Sequence, residues 1–283
     1  MAQEQGKMFD DFYYRTSCGM PYERNEKWMA FFGSIADRII KDFNPRTVLD
    51  AGCAMGFLVE ALRSRGVEAF GVDISDYAIQ NVHLDIQPYC WVGSIADPFP
   101  QRYDLIVTIE VVEHIPKPEA TRVIENLCKH SDDILFSSGV TDLREVTHIN
   151  LQPAEYWASL FARSQFFRDV DFDASFVTPW SVRFRRKNEP IHQIISGYER
   201  QINHLIQENV AIRQMNLEQK DQLAQRERDI NSLNQQLGEL YNSKTYQVSR
   251  RMRFFVPPGS RREKFIRWVW NQLSSAKRRL TRH

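Results

Sequence analysis

The run Thr47-Val48-Leu49-Asp50-Ala51-Gly52-Cys53-Ala54-Met55-Gly56 constrains this chain more than any other stretch. A short apolar strand ends on an acid, two glycines follow, and Phe57-Leu58-Val59-Glu60-Ala61-Leu62 begins a helical pattern at once. Such a strand–turn–helix lets a ligand approach the backbone closely, because Gly52 and Gly56 carry no Cβ. A second strand ends Gly71-Val72-Asp73-Ile74-Ser75, which places Asp73 21 residues after Gly52. That is close to the ~20 expected of a carboxylate that holds a ribose. The two acids and the turn between them predict a nucleoside-cofactor site built from Asp50, Gly52, Cys53, Ala54, Gly56, Asp73 and Ile74.

A dinucleotide fingerprint would read G-x-G-x-x-G, seating a pyrophosphate on the helix N-terminus. Here Ala54 stands where the middle glycine belongs, and Asp50 lies two residues before the first. A carboxylate in that position suits a cationic ligand and opposes a pyrophosphate, which speaks against a dehydrogenase. The pattern D-x-G-x-x-x-G resembles the first motif of class I S-adenosylmethionine-dependent methyltransferases. The family usually has glycine at the position of Ala54. Three further stretches extend the resemblance: Val92-Gly93-Ser94-Ile95, Tyr103 to Ile115, and Glu145-Val146-Thr147-His148-Ile149-Asn150. Together it covers roughly residues 9–187. It implies S-adenosyl-L-methionine as cofactor, an adenine contact from Ser94 or the Ile95 amide, and a Rossmann-like, doubly wound sheet of seven strands with an antiparallel last strand. An acid is usual where Ser94 stands.

Alternating patterns place strands at 47–52, 68–74, 90–95, 103–109, 133–138, 167–173 and 181–186, with helices at 57–65, 76–84, 118–130 and 153–165. The last strand alternates apolar and basic side chains, as a half-exposed edge strand would. A helix over about 25–42 precedes the sheet. The aromatic stretch before it, with Tyr13, Tyr14 and Tyr22 on loop, is expected to form a lid over the cofactor. Methyl transfer to a hydroxyl needs a group to take its proton. His148 is the expected base, with Thr147 and Asn150 beside it; His114 and Glu110 are the alternatives, and Glu110 is also a cofactor contact. Four scattered cysteines offer no metal-ligand spacing, and no metal is expected.

The chain reads as four segments: an aromatic lid and helix (1–45), the methyltransferase domain (46–188), a coiled coil (189–243) and a basic amphipathic tail (244–283). Heptad a and d positions from Ile191 to Leu240 hold eleven apolar residues out of fifteen. Asn209 and Asn216 at a predict a parallel homodimer through 191–240. Residues 244–283 carry twelve Lys/Arg and one acid, a net of +11, so the remaining 25 basic and 35 acidic residues give the body −10. An acidic body argues against nucleic acid. The tail's Trp268 and Trp270 among cations suit the surface of an anionic membrane over 250–282. Its Pro-Pro-Gly-Ser-Arg-Arg-Glu segment resembles tails of bacterial glycosyltransferases of cell-surface polysaccharide assembly. That resemblance implies a sugar or lipid-linked glycan acceptor and glycosyltransferase partners, while the scattered cysteines, read as reduced thiols, place the protein in the cytoplasm and the basic tail brings it to the inner face of the membrane. A small-molecule (quinone-type) methyltransferase, and a non-catalytic scaffold that binds cofactor, are the other readings.

Overall fold

A computed structural model describes residues 6–139, 145–256 and 259–280, without the side chains of 249, 252–255 and 272–280. Residues 1–5 of the lid segment, Pro257, Pro258, residues 281 and 282 and the tail side chains of Arg253, Leu273 and Ala276–Leu280 thus lie outside it. The chain divides into two units, Met1–Asn203 and His204–His283.

In the first unit, helices α1 (Asp11–Thr16) and α2 (Glu26–Phe43) precede β1 (Thr47–Ala51), α3 (Phe57–Arg63), β2 (Glu68–Asp73), α4 (Asp76–Gln80) and β3 (Cys90–Val92). Then follow β4 (Leu105–Ile109), α5 (Ala120–His130), β5 (Asp133–Ser137), α6 (Ala154–Arg163), β6 (Phe166–Arg168) and β7 (Val182–Arg186). The seven strands lie in the order β3-β2-β1-β4-β5-β7-β6. All neighbours are parallel up to β5; β7 is antiparallel to both β5 and β6.

Strand periodicity sends alternate side chains to opposite faces. Val48, Leu105, Val107 and Leu135 join Ile35 and Ile39 of α2 and Leu58 and Leu62 of α3 on one side. Leu49, Ile106, Ile134 and Phe136 join Ile124 and Leu127 of α5 and Trp157 and Phe161 of α6 on the other. α2 starts where the Asn25 side chain accepts from the Lys27 and Trp28 amides, and stops at Asn44, left-handed at φ 46°. The order reverses between β1 and β4, and at such a switch point an open α/β sheet binds its ligand beyond the strands' carboxyl ends.

Four expectations need correction. Tyr13 and Tyr14 lie in a helix, α1, whose N-cap Asp10 accepts from the Tyr13 amide, and not in a loop. β7 is an inner strand, because β6 pairs outside it. Its arginines are matched by acids instead of water: Arg183 reaches Asp133 with Nε at 2.8 Å, and Arg186 reaches Asp132 at 2.6 Å. β3 is also shorter than expected, ending at Val92, so Ser94 and Ile95 sit in loop. The chain over 84–89 is a 3-10 turn after a short α4.

The long helix α7 runs Ile191–Asn242; α8 (Lys244–Phe255) and α9 (Arg261–Leu280) follow. Along α7 the heptad side chains Ile195, Ile202, Leu205, Ile212, Leu223, Ile230, Leu233 and Leu237 are exposed, as are Phe265, Trp268 and Trp270 of α9. Among the described residues, no helix is long and apolar enough to cross a membrane.

Candidate active site

A cavity of about 470 Å³ opens at the carboxyl ends of β1, β2 and β4. Of the residues expected to bind cofactor, Asp50, Gly52, Cys53, Ala54, Asp73, Ile74, Ser94, Ile95 and Glu110 line it; so do His114 and His148. Gly56 does not. It caps α3 in a left-handed turn (φ 73°), and a Cβ there would come within 2.6 Å of Ile86, so its glycine serves packing.

The turn after β1 is hung from β2. The Gly52 and Cys53 amides both donate to the Val72 carbonyl, at 2.8 and 3.1 Å. The Ala54 amide donates to Asp73 Oδ2 at 2.8 Å, and the Ser75 amide donates to Asp73 Oδ1 at 2.8 Å. Asp73 therefore holds the loop while facing the cavity. Gly52 has φ 93°, and a Cβ there would stand 2.3 Å from Val111 Cγ2. Gly52→Ala should consequently cost about 1–3 kcal/mol of stability through strain and clash, visible as a melting point several degrees lower.

Asp50 and Asp73 are both buried. Burial, and then the neighbouring Asp73 charge, push the Asp50 carboxyl up to about 8. Burial also raises Asp73, against hydrogen bonds from the Ser75 and Ala54 amides that favour its ionised form. Among the described residues no Lys or Arg lines the cavity. Two desolvated carboxylates without a cation are a donor set for a ligand that brings hydroxyls and positive charge.

The N-terminal segment walls this space. Phe9, Tyr13, Tyr14, Tyr22, Trp28, Phe31 and Phe32 line it, and Tyr22 stacks on Phe57 with ring centroids 4.8 Å apart. Ser75 Oγ donates to the Phe9 carbonyl at 2.5 Å, and Tyr77 donates to Asp11 at 2.7 Å, which fastens the segment to the second strand's loop. Burial raises the Tyr14 and Tyr22 phenols well above their ordinary range, so both remain protonated donors.

Glu110, His114 and His148 also line the cavity, and the His114 ring packs edge-on against Phe9 with centroids 5.3 Å apart. Glu110 has φ 53°, a left-handed position after β4, and its Oε1 accepts from Ser137 Oγ at 2.5 Å and from Trp180 Nε1 at 2.9 Å. His114 and His148 meet with ring centroids 4.8 Å apart. Burial, followed by the charge of His148, pushes the His114 imidazole down to about 4, so it is neutral near pH 7. Thr147 and Asn150 are buried just behind the residues that line the cavity. The Asn150 amide donates to the Glu113 carbonyl at 2.9 Å and its Nδ2 to the Val112 carbonyl at 3.4 Å. They fix the loop that carries His148, and the Thr147 carbonyl holds the His114 ring at 3.2 Å. Sequence reasoning gave Trp180 and Val111 no role; neither has a signal in a single sequence, since each acts through a contact with a residue distant in the chain.

A family model described as a methyltransferase domain matches residues 22–167, just over half of the chain. The chain belongs to the methyltransferase-domain family. Its donor is S-adenosylmethionine, and the paired carboxylates and glycine cradle fit that sulfonium nucleoside. The methyltransferase is 30% identical over 111 residues to the ubiquinone biosynthesis O-methyltransferase of Nitrosomonas europaea, covering 36% of this chain and 47% of that one. It is 36% identical over 101 residues to the protein of the same name from Coxiella burnetii, covering 32% and 42%. The chain thus spans about half the length of the curated relatives it matches. The magnesium protoporphyrin IX methyltransferase of Synechocystis PCC 6803, solved with bound SAM, superposes with TM-score 0.48 at 17% identity, over 65% of this chain and 97% of that one.

Proposed function

We propose that this methyltransferase O-methylates a small aromatic hydroxy compound of the quinone-precursor kind. The observation that carries the reading is the wall of the cavity: seven aromatic side chains from residues 9–32 line it together with Asp50 and Asp73. An apolar, flat-sided space of this kind suits a ring better than a sugar, whose hydroxyls would need many polar partners. The names of the relatives above point the same way. The glycan reading rested on a tail segment whose two prolines lie outside the described residues.

Bound in the cradle, S-adenosylmethionine supplies an activated methyl group. Asp73 would hold the ribose hydroxyls, Asp50 would balance positive charge, and the loop at Ser94 and Ile95 would border the base. The aromatic wall excludes water and aligns the acceptor, which is where most of the rate in a displacement originates. Glu110 and His148 are the groups lining the cavity able to receive the hydroxyl proton or hold its oxygen. The second unit is read as an assembly arm, in which exposed heptad side chains of α7 pair with those of a second copy.

The test is transfer of labelled methyl from S-adenosylmethionine to a panel of dihydroxybenzene derivatives and of nucleotide-linked sugars. Label on an aromatic oxygen is expected; label on sugars alone would overturn the reading. In the same assay His148→Ala should lower turnover at least tenfold with donor affinity retained, and unchanged turnover would remove His148 from the chemistry.

A further inference from the structure

The 3-10 turn Val112–His114 and the loop that carries His148 bring three donors together at one wall of the cavity. A carboxylate oxygen of Glu113 and one ring nitrogen each from His114 and His148 all lie within 4.8 Å of one another. Glu113 is fully buried. Its Oε1 accepts from the Gly139 amide at 2.8 Å, but its Oε2, out of reach of solvent, meets no donor and the Glu110 carboxyl stands beside it. A buried carboxylate oxygen in that condition is costly unless a positive group completes it. Methyl transfer as described above gives Glu113 no task.

The imidazole arrangement answers what that positive group is. His114 Nδ1 lies 3.2 Å from the Thr147 carbonyl oxygen, which can only accept, so Nδ1 carries the hydrogen and Nε2 the lone pair. A backbone carbonyl fixing the tautomer of a histidine is the usual support of a metal ligand. Glu110 borders the same place: a Cβ on Gly139 would lie 3.2 Å from Glu110 Oε2 and 3.2 Å from Glu113 Oε1.

We propose that Glu113, His114 and His148 bind a divalent first-row transition-metal ion at the acceptor end of the cavity. Two imidazoles and a carboxylate are donors for zinc, manganese, iron or cobalt and a poor set for magnesium or calcium. Bonds of ~2.0–2.2 Å need donor separations of roughly 3–3.5 Å, so the cluster closes by a side-chain adjustment of about an ångström. Three protein ligands leave coordination positions for oxygens of the acceptor. Resting on the proposed O-methylation, the ion would hold the hydroxyl oxygen and lower its pKa, with Glu110 taking the proton. It would favour acceptors with two adjacent oxygens. His148 is then a ligand and not the base.

The experiment uses full-length protein stripped with a chelator and titrated with Co²⁺, without donor or acceptor, followed by visible absorption and calorimetry. One saturable equivalent with ligand-field bands is expected, and His148→Ala and Glu113→Gln should each lower its affinity at least tenfold. His148 is only half-buried, so its variant stays folded if Glu113→Gln does not. Absence of the bands, or an unchanged affinity in His148→Ala, would overturn the metal site and leave His148 as a base. Calorimetry with S-adenosylmethionine on the same samples separates the two readings: retained donor binding without Co²⁺ binding removes the ion and keeps the methyltransferase.

Discussion

Asp73→Asn should weaken S-adenosylmethionine binding by about 10- to 100-fold while the chain stays folded. The carboxylate does two things that an amide cannot combine. It accepts from the Ala54 and Ser75 amides, at 2.8 Å each, and it faces the cavity with its remaining lone pairs. Charge-assisted hydrogen bonds are worth about 1.5–3 kcal/mol each, and tenfold in affinity is about 1.4 kcal/mol. Asparagine also turns an N–H₂ toward one of the two backbone donors, so the glycine turn loses its anchor as well as the ligand its acceptor. Asp76→Asn, three residues on and exposed, is the control and should leave affinity unchanged. Calorimetry with circular dichroism checks both; undiminished affinity in the Asp73 variant would mean that the cavity binds its ligand elsewhere than on β2.

The strand–turn–helix at Asp50–Gly56 was legible because its signals are local: a buried apolar run, glycines at positive φ, and a strand that ends on an acid. Nearly every residue that reasoning assigned to the cofactor faces the cavity, Gly56 excepted. What failed depended on distant partners. The arginines of β7 looked like an exposed edge because nothing in Ser181–Arg186 announces that Asp132 and Asp133 on the next strand will meet them, or that three residues at Phe166 will pair outside. Tyr13 and Tyr14 looked like loop because α1 spans only six residues and owes its place to contacts with Ser75 and Tyr77. Glu113 drew little notice for the same reason. Its unpartnered oxygen is a fact of packing, created when the Gly139 amide and the His148 loop close over it.

The same packing makes the stability of this methyltransferase fall as pH rises, with Asp50 as a principal cause. Its carboxyl is ordinary in the unfolded chain, at 3.8, and about 8 in the folded one. Between those values the folded state holds a proton that the unfolded state has released, so stability declines with pH through that window and levels off above about 8. In protein free of metal ion, Glu113, raised to about 8 chiefly by burial and next by the charge of Glu110, adds a contribution of the same sign. At about 1.4 kcal/mol per pKa unit, the Asp50 share at pH 8 is of order 5 kcal/mol. Asp50→Asn should therefore raise the melting temperature of the protein without donor by about 5 °C or more at pH 8 and leave it nearly unchanged near pH 4. A cationic ligand reverses the balance, because it favours the ionised carboxylate. Wild-type affinity for S-adenosylmethionine should climb several-fold between pH 6 and 8, and the climb should flatten in Asp50→Asn, whose affinity is lower throughout. A melting temperature that drops equally at both pH values in the variant would show Asp50 to be a packing residue, and a pH-independent donor affinity would take it out of the charge balance. Gaining stability and losing ligand in one substitution is the mark of a group kept uncomfortable for binding.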